Sequence, residues 1–190
     1  HAALAGEHGV ALVAATTGLD DVQELVLREA AKRTPIIRAP NMSLVNAVMT
    51  DAVERIARFL DADYDIEVLN QVHRRKRDLP SGTALALGEA AASGRGVELN
   101  EVAVRALDGQ VPARRRGSIG FSSTRGGEAA GVFSVLFYGT HDTLEVTHRM
   151  HDRQLYAAVA LRAALWAIGK PPGLYGLIDV LSTQVEDQPR

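Results

Sequence analysis

Two short apolar runs, separated by a helical stripe and tight turns, limit what this chain can fold into more than any other feature. Val10 to Ala15 is continuously apolar and contains two valines, the composition of a strand buried on both faces of a parallel sheet. Thr16-Thr17-Gly18 then turns the chain. Asp20 and Asp21 stand where acidic residues favour a helix start, and Val22, Leu25, Val26, Ala30 and Ala31 form a stripe that closes near Lys32 and Arg33. Pro35-Ile36-Ile37 is a second short strand, ending at Ala39-Pro40-Asn41. Strand, helix and strand with short connections predict a right-handed βαβ unit. In sheets of such units the ligand crevice lies at the carboxyl ends of the strands. Ala15-Thr16-Thr17-Gly18 and Ala39-Pro40-Asn41-Met42 both fall there, although each alone is also ordinary turn chemistry.

From Ser43 the period changes. Val45, Val48, Met49, Ala52, Val53, Ile56, Phe59 and Leu60 recur at spacings of three and four, which predicts a long amphipathic helix capped by Asn41 or Ser43. Tyr64 to Val72 reads as a strand, and Ala84 to Ala92 as a helix. Further strands are expected at Glu101 to Leu107, Ser118 to Ser123, Gly131 to Tyr138 and Thr143 to His148, with a hairpin turn at Gly139 to Asp142. Consecutive strands imply an antiparallel or mixed sheet. Gln154 to Ile168 returns to helix, and Lys170-Pro171-Pro172-Gly173 stops it before a short tail. The predicted class is therefore α/β: part of a Rossmann-like parallel βαβ domain joined to an α+β domain whose mixed or antiparallel sheet carries helices on one face. The expected division is 1–42 for the dinucleotide-binding part, 43–168 for the second domain, and 169–190 for a tail returning to the first.

Composition removes several classes of function. With 190 residues and 46% hydrophobic composition the chain can bury a real core. A net charge of -2 and 5% aromatic residues argue against a nucleic-acid partner. No apolar run approaches the ~18 residues of a membrane span, so no membrane partner is expected. The absence of cysteine excludes disulfides and thiolate chemistry, and suits a reducing cytoplasm. His148 and His151 lie three apart but lack further ligands at a recognised spacing, so no metal is expected. The chain opens on His1, with Ala2 to Ala5 reading as the second half of a helix and no targeting signal, so natural sequence upstream is expected.

His73-Arg74-Arg75-Lys76-Arg77 follows a strand directly and precedes Pro80. A bare charge run is ordinarily a solvated surface. The next residues change that reading: Pro80 fixes the approach, Ser81 can cap a helix, Gly82 lets backbone come close to a ligand, and Thr83 adds a hydroxyl at the first turn. Free N–H groups and the positive helix end, together with Lys76 and His73, suit a carboxylate or phosphate. Asp78 is placed to anchor the loop through a salt bridge. Arg114-Arg115-Arg116 reads as a solvated turn or as lining of the same cleft.

The succession ATTG, APNMS, YDIEVLNQVHRRKRDLPSGTALALGEA, GSIGFSSTRGG, LEVTH and ALWAIGKPPGLY resembles the dihydrodipicolinate (4-hydroxy-tetrahydrodipicolinate) reductases of lysine and diaminopimelate biosynthesis. The match runs in register over nearly the whole chain, and the segment from Lys76 to Ala84 is its most specific part. The resemblance implies reduction of a cyclic unsaturated imine dicarboxylate by NADH or NADPH in a cytoplasmic homotetramer. It places Ala15, Thr16, Thr17, Ala39, Pro40, Asn41, Met42 and Arg153 at the cofactor, and His73, Lys76, Ser81, Gly82 and Thr83 at the substrate carboxylates. It also implies that the segment from Gly173 packs back on the Rossmann domain. No complete Gly-x-Gly-x-x-Gly occurs, so a dinucleotide fingerprint is expected upstream of His1.

The departures from the family pattern bear on turnover. The family has two histidines where this chain has Val72-His73, and the first is the proton donor that Val72 cannot replace. Asn70 stands for a glutamate, Phe133 for a histidine, and Ala15, Val45 and Val159 for glycines. His73 or Lys76 is left to supply the acid, Lys76 on the condition that burial lowers its pKa. A non-catalytic, oligomeric, anion- or cofactor-binding relative is the alternative reading.

Overall fold

A computed structural model describes residues 1–105, 107 and 109–186. The chain runs α1 (Ala2–His8), β1 (Leu12–Ala14), α2 (Asp21–Ala31), β2 (Pro35–Arg38), α3 (Leu44–Phe59) and β3 (Asp65–Val72). It continues with α4 (Gly82–Gly94), α5 (Leu99–Val102), β4 (Ala103–Val104), β5 (Ile119–Arg125), β6 (Gly131–Tyr138) and β7 (Thr143–Met150). It closes with α6 (Gln154–Ala167), β8 (Gly173–Tyr175) and α7 (Leu177–Glu186). The described residues form two compact units, one of His1–Ala47 with the segment from Arg153 onward, the other of Val48–Asp152.

The first unit is a parallel sheet of order β1-β2-β8. Asp20 caps α2 by accepting from the Gln23 N–H at 2.8 Å, while the Gln23 side chain accepts from the Asp20 N–H at 3.1 Å. α2 turns Leu27, Ala30 and Ala31 inward onto Ile36. Val22, Leu25 and Val26, expected on the buried stripe, are exposed instead, because the buried arc is centred about one residue further round the helix. β1 is shorter than the apolar run from Val10 to Ala15 and only half-buried. It pairs on one side only among the described residues, as an edge strand does. α6 buries Ala163 and Ala167 beside Ile37, Ala39 and Leu177, so the helix expected in the second domain packs with the first sheet. Its opposite side exposes Leu161, Leu165 and Ile168. Trp166 meets the edge of Tyr175 at 5.1 Å between ring centroids and lies 4.6 Å from the Lys170 ammonium.

The second unit is a mixed sheet of order β4-β5-β3-β6-β7. β3 is parallel to β5 and antiparallel to β6, which in turn pairs antiparallel with β7. Alternation along β3 sends Ile66, Val68, Asn70 and Val72 to the buried face. There Ile66 and Val68 join Phe121, Val135 and Phe137 under Met49, Val53 and Ala57 of α3 and Ala84, Leu87 and Ala91 of α4. Val45, Val48 and Phe59 belong to the apolar repeat of α3 but lie on the adjoining, exposed arc. The two helices touch at Gly94, where a Cβ would collide with the Glu54 carbonyl. The strand expected from Glu101 to Leu107 is replaced by the short turn of α5 and the two residues of β4, and positions 106 and 108 lie outside the described residues. The tail carries more order than expected: β8 lies parallel beside β2, and α7 follows it. Residues 187–190 of the expected tail also lie outside the described residues.

Candidate active site

β3 ends at Val72, and the basic loop starts from its buried end. The turn after β5 braces it: the Gly126 N–H donates to the Val72 carbonyl and the Arg74 N–H to the Gly127 carbonyl, both at 3.0 Å. The Arg75 guanidinium closes a two-pronged pair on Glu128 at 2.9 and 2.5 Å. This hydrogen bond and charge hold the Glu128 carboxyl below the usual carboxylate range. Arg125 donates to the Lys76 carbonyl at 3.0 Å. Two of the five charged side chains in the run therefore face the 125–128 turn, through Arg75 and, more loosely at 3.8 Å, Arg74.

His73 and Lys76 are the half-buried members of the run. The Arg75 N–H donates to His73 Nδ1 at 3.2 Å, so a neutral ring carries its proton on Nε2. Lys76 Nζ sits 2.6 Å from Asp78, whose carboxyl is pushed below its ordinary range chiefly by that hydrogen bond. Asp78 thus anchors the loop. A Leu79–Pro80 peptide in the cis form leads into Ser81, which caps α4 by accepting from the Ala84 N–H at 3.3 Å. Gly82 is exposed, lacks a positive φ, and would meet nothing within 4 Å if it carried a Cβ. Neither backbone geometry nor packing therefore calls for glycine there, and the space beside it is open. Thr83 is half-buried beside it on the first turn of α4.

In the first unit, Ala15-Thr16-Thr17 and Ala39 to Met42 leave the carboxyl ends of β1 and β2 side by side, joined by an Ala39 N–H to Ala14 carbonyl bond at 3.2 Å. Thr16, Thr17 and Pro40 are exposed, Asn41 is half-buried, and Ala39 and Met42 are buried. Asn41 accepts from the Ser43 N–H at 3.0 Å, and Ser43 caps α3 through the Asn46 N–H at 3.2 Å. Sequence reasoning missed Arg38. It donates to the Thr16 carbonyl at 2.7 Å and the Ala14 carbonyl at 3.3 Å, and its fork meets Glu24 at 2.6 Å. Arg38 thereby ties the first loop to the second strand. Its hydrogen bond lowers the Glu24 carboxyl below the usual range. Arg153 stands at the N-terminal cap of α6 with its side chain exposed.

Arg114 does not line the basic loop. It pairs with Asp65 and Glu67 and donates to the carbonyls of Ile66 and Ser118, at the opposite end of β3, roughly 20 Å along a strand of this length. Arg116 pairs with Asp63 at that same end. Among the described residues no group of three or more His, Asp or Glu is arranged to hold a metal ion.

His148 is buried on β7 opposite Phe133, and its Nδ1 has no hydrogen-bond partner. Burial pushes its pKa below the ordinary 6.5. The unfolded chain takes up this proton first, so stability is complete above about 6.5 and falls as pH drops from there toward the lowered folded value. Urea midpoints measured across that range are expected to decline in the wild type and to decline less in His148→Phe. Parallel slopes for the two proteins would contradict the assignment.

Residues 45–181 match the family described as dihydrodipicolinate reductase, C-terminus, and residues 1–42 the family described as dihydrodipicolinate reductase, N-terminus. The chain is 48% identical over 179 residues to the 4-hydroxy-tetrahydrodipicolinate reductase of Bradyrhizobium diazoefficiens and 46% identical over 179 residues to that of Afipia carboxidovorans. Each alignment covers 94% of this chain and 66% of the relative, so the chain spans slightly under two thirds of the relatives' length. Among solved structures, a dipicolinate-bound dihydrodipicolinate reductase from Paenisporosarcina sp. TG-14 superposes with a TM-score of 0.67 at 22% identity, over 94% of this chain and 68% of the other. That likeness shows a shared fold.

Proposed function

Because this chain belongs to the dihydrodipicolinate reductase family, we propose that it binds a cyclic imine dicarboxylate on the loop from His73 to Thr83 and supports its reduction by NADH or NADPH. The observation that carries the reading is the loop itself. Braced by the turn after β5, it carries Lys76 paired with Asp78, the half-buried His73 ring and the Ser81 cap of α4 within eleven residues of chain from His73 to Thr83, with open space at Gly82. A dianionic ring needs fixed cations and oriented N–H donors, and this loop supplies both.

The first-unit loops fit the nicotinamide end of such a cofactor. Exposed Thr16, Thr17 and Pro40 flank the carboxyl ends of adjacent parallel strands, and Arg38 fixes their spacing. Ala15, Ala39, Asn41 and Met42 form the floor and wall of that position in our reading, and Arg153 is assigned to the cofactor as well. When bound, the cofactor supplies a hydride to the unsaturated ring, and one proton must be added for balance. His73, with Nε2–H free to donate, is assigned to a substrate carboxylate. Ser81 holds α4, while Gly82 and Thr83, on its first turn, are assigned to the second carboxylate.

Val72 is 5% exposed on the buried side of β3 and cannot donate a proton. Lys76 is the one lysine between His73 and Thr83, and an amine can give up a proton where the neighbouring guanidinium groups cannot, so we assign it the proton. General acid catalysis is worth about 10²–10⁴ in rate, so the valine at position 72 predicts turnover slowed by up to that factor, to the extent that Lys76 is the poorer acid. A second reading, a binding protein without turnover, is favoured by this same Val72 and by the engagement of Lys76 with Asp78. On the family resemblance we also place the protein in the cytoplasm as a homotetramer. Among the described residues no helix is long and apolar enough to cross a membrane.

Calorimetric titration of the protein, with any natural sequence upstream of His1 included, against dipicolinate, NADH and NADPH tests the reading, and binding of dipicolinate and at least one cofactor is expected. Failure to bind all three would remove it. Turnover of the cyclic imine is then compared between wild type and Val72→His. A large gain identifies a reductase slowed at one position. Background rates in both identify the binding protein.

A further inference from the structure

We infer that Asn70 is a positioning residue that sets the end of α4 for the ligand of the basic loop, an inference that rests on the function proposed above. Asn70 lies on the buried face of β3, two residues before the strand ends, with 1% exposure. Its side chain reaches three places at once. Oδ1 accepts from the Ser81 N–H at 3.4 Å, and Nδ2 donates to the Ser122 carbonyl at 3.3 Å and to Ser123 Oγ at 2.5 Å. The cap residue of α4 is therefore hung from the sheet, through one amide that bridges β3 and β5. Ser81 in turn organises the first turn, accepting the Ala84 N–H on its hydroxyl at 3.3 Å and the Leu85 N–H on its carbonyl at 2.9 Å.

Chemistry narrows what can stand at this position. The site needs one acceptor for the buried Ser81 N–H and two donors for Ser122 and Ser123, which are themselves exposed. An apolar side chain would leave the buried Ser81 N–H unpaired and cut the tie from β3 to β5. A carboxylate would satisfy the Ser81 N–H but offer no proton to the Ser122 carbonyl. The amide supplies the acceptor and both donors at once.

The test compares Asn70→Ala and Asn70→Asp with wild type by calorimetry with dipicolinate and with NADH, and by amide hydrogen exchange over residues 81–85. Asn70→Ala is expected to raise the dipicolinate Kd by about tenfold and to speed exchange of these amides by a similar factor, with the NADH Kd unchanged. Asn70→Asp keeps an acceptor for the Ser81 N–H and loses both donors, and is expected to raise the dipicolinate Kd by less than Asn70→Ala does. If Asn70→Ala does not fold, Asn70→Ser carries the same comparison. Dipicolinate affinity and exchange within twofold of wild type in both variants would overturn the inference, and so would equal loss of dipicolinate and NADH affinity. If the wild type itself does not bind dipicolinate, the proposed function fails separately, and the exchange rates alone decide whether Asn70 sets the helix end.

Discussion

Replacing Lys76 with methionine is expected to weaken dipicolinate binding by about 10–100-fold, since hydrogen bonds to charged groups are worth roughly 1.5–3 kcal/mol. Two effects act in the same direction. The ammonium that would meet a carboxylate is lost, and Asp78, which sits 2.6 Å from it, is left as an uncompensated negative charge beside the anion site. Asp78 is 63% exposed at its side chain, so solvent screens the second effect and it is the smaller. Methionine keeps most of the length and apolar stem of lysine, which leaves packing of the half-buried side chain intact. Calorimetry on the folded variant should show the loss with the cofactor affinity unchanged. A dipicolinate Kd within threefold of wild type would remove Lys76 from the site.

The largest effect on stability is expected from Phe137→Ala. Phe137 is fully buried one residue before the end of β6, where it pairs with Ile66 of β3 and Leu144 of β7 in the core of the second unit. Truncation removes the ring's transfer energy and leaves a cavity that a sheet held on both sides cannot close, so the cost is about 3–5 kcal/mol. Leu144 is already 42% exposed, so β7 has slack on one side of the gap, which favours the lower part of that range. Chemical denaturation followed by circular dichroism measures it. A loss under 1 kcal/mol would show that this residue does not hold the sheet together.

Much of this fold could be read from local pattern. The βαβ unit, the strand that delivers the basic loop, the helix beginning near Ser81 and the three later strands all announce themselves by alternation, helical spacing and turn residues. What escaped was non-local. β8 is three residues long and is a strand only because β2 lies beside it. The helix from Gln154 to Ala167 looks the same in sequence whichever sheet it covers, and only Ala163 and Ala167 against Ile37 and Ala39 decide the matter. Valine-rich stripes on α2 and α3 located the helices but misjudged which arc turns inward.

The candidate site divides in the same way. The loop from His73 to Thr83 could be recognised because its residues are contiguous, and helix-capping chemistry has a fixed spacing. Arg38, Asn70, Arg125 and Glu128 could not, since each acts on groups 11 to 53 residues away. The nearest sequence signal was Asn70 itself, a polar residue on the inward side of a strand that otherwise alternates apolar. That is a position where an unexplained amide should prompt a search for its partners.

Trp166 is the only tryptophan in the chain, and it belongs wholly to the first unit, between the Tyr175 ring edge and the Lys170 ammonium. Its emission is therefore a private signal of that unit. Fluorescence-detected denaturation reports the parallel sheet and α6, while backbone dichroism averages over both units. Running the two side by side on one sample shows directly whether the halves of this molecule unfold as one cooperative body or in turn, without any label being added.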